Sequence, residues 1–146
     1  MPDTRRTNLT TGILAALALL DLSLTIWAFG FPDLWFSFFH ASPRVDPQAL
    51  LYRCGANWLA FTIIQALALF KWRRQPWWLL LVAGCRLGDS LTDITCLLLS
   101  QKATLYAWLA FPAAGIGNLL LGTLLIRLFQ LTVKEGEKKG RGVRDE

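Results

Sequence analysis

Between Gly84 and Ser100 the chain reads GCRLGDSLTDITCLLLS, where an arginine and two aspartates interrupt a stretch otherwise apolar enough to cross a bilayer. At about 100° per residue, Arg86, Asp89, Asp93, Cys96 and Ser100 fall on one side of a helix, and Leu87, Leu91, Ile94 and Leu98 on another. Charges in hydrocarbon are costly unless they meet a partner or water. Other segments must therefore receive this stripe.

Four more polar residues stand in apolar surroundings and are candidates to do so: Asp21, Arg53, Asn57 and Asn118. Counted inward from the expected outer boundary at about 1.5 Å per residue, Asp93 and Asn57 lie about seven residues deep. Asp21 and Asp89 lie about ten deep, and Arg86 and Asn118 about thirteen. If their faces converge, Asp21 pairs with Arg86 and Arg53 with Asp93, and Asp89 chooses between Arg86 and Asn57. Arg53 has a second option, since its long stem can carry the charge out to the headgroups.

Three acids then face two bases. Either one carboxyl group holds a proton or a third positive group arrives from outside. Such a group can carry a proton, act as a general acid or base, or receive a cationic ligand. A purely structural network, or a stripe completed by another subunit, satisfies the same charges. Asp89-x-x-x-Asp93 lacks a third ligand at matching spacing, and Cys54, Cys85 and Cys96 form no CxxC or Cys/His pattern, so neither metal nor cofactor is expected. Cys54 and Cys96 are expected at similar depth on neighbouring spans, where a bridge is one option and free thiols the other. The single histidine, His40, excludes a haem held by two histidines of one chain. Motifs for a P-loop, a dinucleotide fold, a nucleophile elbow or a zinc protease are lacking.

The elements that would position these residues follow from composition. With 54% hydrophobic and 17% charged residues in 146, the chain is too apolar for a soluble domain of this length. Apolar windows near twenty residues predict four spans, at about 11–31, 50–70, 77–99 and 105–128. The expected fold is an all-α integral membrane protein: an antiparallel four-helix transmembrane bundle, residues 1–131, with an interfacial aromatic segment after its first helix. Residues 132–146, charged and poor in apolar groups, are expected to form a disordered cytoplasmic tail.

The net charge of +5 does not indicate nucleic acid, because the basic residues flank the spans. Arg5 and Arg6 precede span one, and Lys71, Arg73 and Arg74 sit between spans two and three. Arg127, Lys134, Lys138, Lys139, Arg141 and Arg144 end or follow span four, and only Arg44 and Lys102 fall on the opposite side. The positive-inside rule then places both termini in the cytoplasm, in a plasma or inner membrane. The opening Thr4-Arg5-Arg6 superficially resembles an export signal. Asp21 interrupts the run, however, and no small-x-small cleavage site follows, so a retained span is expected.

Around Asp21, Thr10, Leu14, Ala18, Thr25 and Ala28 share a helical face that suits close packing. Span two offers Asn57, Ala60, Ile64 and Ala68 on one face, with Gln65 toward its edge, and span four offers Ala114, Gly115, Asn118 and Gly122 after Pro112. The segment 31–48 holds three of the six prolines and the run Trp35, Phe36, Phe38, Phe39. It is expected at the outer interface, as a membrane-surface anchor or a lid.

This layout, with Asp21 in the first span, an aromatic outer loop, Gln65 in the second span and a proline in the fourth, broadly resembles the EXPERA membrane proteins, which include sterol isomerases and ligand-binding receptors. Small DoxX-like bundles are similar to the same degree. The likeness is architectural: Arg86 and Asp89 do not map onto the plan, and no site residue is carried over from it.

The expected function is that of a small multi-pass membrane protein whose polar core binds a small amphipathic or cationic ligand or a partner membrane subunit. The alternatives are a proton-coupled small transporter working as an oligomer, and a membrane-embedded isomerase using an aspartate on a lipid-like substrate. The expected partners are the lipid bilayer, such a ligand, and further copies or a larger membrane complex.

Overall fold

Five helices and no strands make up the described part of the chain: α1 Thr4–Gly30, α2 Pro32–His40, α3 Leu50–Lys71, α4 Trp78–Leu99 and α5 Leu105–Gly142. The computed structural model describes residues 4–99 and 103–142. Ser100 of the polar stripe, and Lys102 and Arg144 of the charge pattern, lie outside the described residues.

Three of these helices, α1, α3 and α5, are long and apolar enough to cross a membrane, which points to membrane association. α4 has comparable length but carries Arg86, Asp89 and Asp93 within it. The outward surfaces of the helices are greasy: Leu19, Ile26, Ile63, Leu91, Leu109 and Leu120 are all exposed. In water such a surface would be an association liability; in lipid it is solvated.

α1 packs along α3 and α4 along α5, with a lighter contact between α3 and α4. Each close pair is antiparallel, as paired contacts show: Thr25 Oγ1 donates to Gly55 O at 3.3 Å, and Ser90 Oγ to Gly115 O at 2.7 Å. Small residues set the approach. A Cβ on Gly55 would stand 3.0 Å from Ala28 Cβ, and one on Gly122 would stand 3.3 Å from Ala83 O. Backbones this close gain dispersion contacts that no apolar driving force supplies in lipid.

Apolar layers bracket the polar middle. Near the α3–α4 turn, Leu14, Leu17, Ala68, Leu79, Val82 and Leu125 form one buried cluster. At the opposite end Ala28, Trp35, Phe39, Leu51 and Ala107 form another. α2 is the roof of the second cluster. Pro32 starts it, where a missing N–H is harmless, and Trp35 and Phe39 turn inward onto Trp27, Trp58 and Phe111. Thr104 pins its far end, donating from N to Phe39 O at 3.1 Å and from Oγ1 to Phe38 O at 2.6 Å. α2 is packed into the protein on this side, while Leu34 and Phe38 stay exposed.

Two elements depart from expectation. α1 begins at Thr4, seven residues before the predicted span. α5 continues past Leu131 to Gly142, where sequence reading expects disorder from residue 132. Lys134 and Glu135 are good helix formers, and the ion pair from Arg6 to Glu135 ties that extension back to the start of α1.

Candidate functional site

The polar middle is a connected chain of side chains from all four long helices. Asp21 on α1 and Arg86 on α4 are 0% and 1% exposed. Asp21 Oδ2 accepts from Arg86 Nη2 at 2.5 Å and from Gln65 Nε2 of α3 at 2.7 Å. Arg86 Nη2 also lies 3.0 Å from Asp89 Oδ2, one turn along α4, and Arg86 Nη1 donates to Asn118 Oδ1 on α5 at 3.3 Å. Asn118 Nδ2 in turn donates to Asp93 Oδ2 at 3.2 Å. The guanidinium rests 5.7 Å from the centre of the Phe61 ring, a cation–π contact in dry surroundings.

Arg86 is therefore the hub. Its planar fork serves three partners at fixed angles through Nη1 and Nη2. Asp21 Oδ1, Gln65 Oε1 and Arg86 Nε are buried without a hydrogen-bond partner, so the core retains polar capacity beyond these contacts.

Of the seven expected site residues, five meet: Asp21, Arg86, Asp89, Asn118 and Asp93. Arg53 and Asn57 do not; both are exposed on α3. The expected pair of Arg53 with Asp93 is not formed, and Asp89 takes Arg86 instead of Asn57. The cause is rotation of α3. Its buried positions are Leu51, Gly55, Gln65 and Ala68, roughly one residue, or about 100°, from the face assumed in the sequence. Gln65 enters the core as the ligand of Asp21, and Arg53 and Asn57 turn outward.

The α4 stripe links this closed core to an open space. Of its members Arg86 is buried, Asp89 and Asp93 are half-buried and Cys96 is exposed, while Leu79, Val82, Ala83 and Ser90 are the other buried residues of α4. Beyond Asn118, Asp93 reaches a cleft of about 490 Å³ at the α2 end, between the α2–α3 loop, the start of α3 and the end of α4. Trp35, Phe36, Leu51, Trp58 and Phe111 supply apolar walls, and His40, Cys54, Asp93 and Cys96 the polar points. The size falls in the range of small-molecule sites, roughly 300–1,000 Å³.

Cys54, Cys85 and Cys96 are all free thiols, so the bridge between Cys54 and Cys96 is not made. Asp46 lines the cleft too, but its carboxylate caps α3, accepting from Leu50 N at 2.7 Å and Leu51 N at 3.1 Å. Among the described residues no group of three His, Cys, Asp or Glu side chains is arranged to hold a metal.

Compared with protein-family profiles, with curated proteins and with solved structures, the chain matches none. The architectural likeness to EXPERA and DoxX-like proteins is accordingly carried no further.

Proposed function

We propose that the chain is a four-span integral membrane protein, with both termini cytoplasmic, that binds a small amphipathic molecule in the cleft beneath α2. α4 would be the fourth span, its charges tolerated because Asp21 of α1, held in turn by Gln65 of α3, and Asn118 of α5 receive them. The basic residues before α1, between α3 and α4, and toward the end of α5 would mark the cytoplasmic side. The cleft would then lie near the outer leaflet.

One observation carries the reading: an apolar-walled space of about 490 Å³ has a carboxylate of the polar network in its lining. An apolar body with one polar end fits both features. Asp21 is not a contact in this scheme, because Gln65 and Arg86 enclose it. Its place is in holding the helices that shape the cleft.

The test is purification in mild non-ionic detergent, followed by extraction and mass spectrometry of whatever co-purifies. Wild type should carry an amphipathic molecule at close to one per chain. Cys54→Trp, which places an indole in the cleft, should lose it while keeping the same size and a cooperative thermal transition, at a midpoint lowered only by the lost ligand. Equal retention in the variant, or no such molecule in either sample, would remove the cleft from consideration.

A further inference from the structure

We propose that the cleft selects amphipathic cations, seating an ammonium or similar group on Asp93 with the apolar body among Trp35, Trp58 and Phe111. This rests on the reading of the cleft as a binding site and adds the charge of its occupant.

The charges of the network support it. Arg86 is within ion-pair distance of Asp21 and of Asp89, at 2.5 and 3.0 Å. One base already serves two acids. Asp93 receives only the neutral amide of Asn118, on Oδ2, and among the described residues no ion pair reaches it. The cation that sequence reading assigns to it, Arg53, is turned outward.

The cleft itself has the complementary sign. Among the described residues its lining includes Asp46 and Asp93 and no Lys or Arg. Asp46 is committed to the α3 cap, which leaves Asp93 as the acceptor for a ligand. An anionic amphipath would place like charges together in a site of low dielectric, and a neutral one would leave Asp93 without a cation in contact.

The experiment is a native mass spectrometry titration of the intact protein in maltoside micelles. The probes are dodecyltrimethylammonium, whose charge is permanent, and the neutral tetraethylene glycol dodecyl ether with the same chain. Dodecyltrimethylammonium should bind wild type about tenfold more tightly or better. Asp93→Asn should bring it to the level of the neutral probe without altering the latter, and Asp93→Glu should keep the preference.

Equal binding of the two probes to wild type would overturn the cation assignment and leave the amphipathic cleft standing. Binding of neither would remove the cleft reading itself. A cation preference that survives in Asp93→Asn would also overturn the proposal, since the charge would then be read elsewhere. Phosphatidylethanolamine added as competitor separates two sources of the same chemistry: displacement of the probe assigns the site to a lipid ammonium, and its persistence to a free amphipathic amine.

Discussion

Arg86 Nη2 lies 2.5 Å from Asp21 Oδ2, and this contact joins the α1–α3 pair of helices to the α4–α5 pair. The same aspartate oxygen accepts from Gln65. A single carboxylate thus clasps both halves of the protein at mid-height, where the direct contact between α3 and α4 is light.

Removing one partner of this pair should be severe, and the two sides should differ. Arg86→Met leaves Asp21 buried with only Gln65 beside it, and a stranded buried charge costs about 3–5 kcal/mol. Asp21→Asn should cost less, because Arg86 keeps Asp89. The double change Asp21→Leu with Arg86→Met should recover much of the loss, since the fully buried charge goes with its partner and only the partly exposed Asp89 is left without a cation. Thermal unfolding in maltoside gives the order. A double variant no better than Arg86→Met alone would refute the account.

Asp89→Asn should be mild by comparison. Asp89 is 17% exposed, and Arg86 retains its shorter contact with Asp21 when Asp89 is neutral. If this variant unfolds as readily as Arg86→Met, the two acids share the arginine equally and the hierarchy drawn from the distances is wrong.

The glycines make a sharper test of the packing. In Gly122→Ala the new methyl would stand 2.9 Å from Leu87 Cγ and 3.3 Å from the Ala83 carbonyl, and in Gly55→Ala 3.0 Å from Ala28 Cβ. Backbone and short side chains cannot swing away, so each should cost roughly 1–3 kcal/mol. Gly115→Ala meets its neighbours at 3.5 Å or more, and alanine is the better helix former. It should be neutral or stabilising in the same unfolding assay.

Much of this core was legible before the structure, for a definable reason. A lone acid in an apolar run must find a base, and Asp21 and Arg86 are expected within about one helical turn in depth, which a long arginine side chain spans, so their pairing follows from cost. The burial of Gly115 and Gly122 on α5, with Asn118 half-buried beside them, also follows from the small-residue spacing. α3 was harder because it offers two polar faces: Arg53 with Asn57, and Thr62 with Gln65. The recurrence of Gly55, Thr62, Gln65 and Trp72 at helical spacing was the available signal. The louder charge of Arg53 outweighed it. The cleft had no sequence signature, because its walls come from α2, α3, α4 and α5 together.

Membrane topology can be checked directly. If α4 spans with the others, reporters fused at the two termini and within the α3–α4 turn should all register on the cytoplasmic side. A reporter in the α2–α3 loop, near Pro43, should register outside. Opposite sides for the two termini would leave an odd number of crossings and exclude the four-span arrangement.

The thiols report on the cleft without any new residue. Cys54 and Cys96 both line it and are exposed, whereas Cys85 is half-buried on α4 and is absent from the cleft wall. A small methanethiosulfonate reagent should therefore label Cys54 and Cys96 before Cys85. Saturating dodecyltrimethylammonium should slow the first two, on the order of tenfold if the site is nearly filled, and leave Cys85 unchanged. Because both cysteines belong to the wild type, the comparison is free of folding defects. Uniform slowing of all three would mean that the amphipath coats the protein instead of entering the cleft. Protection confined to Cys54 and Cys96, and lost in Asp93→Asn, would tie the occupied volume and the carboxylate to one site.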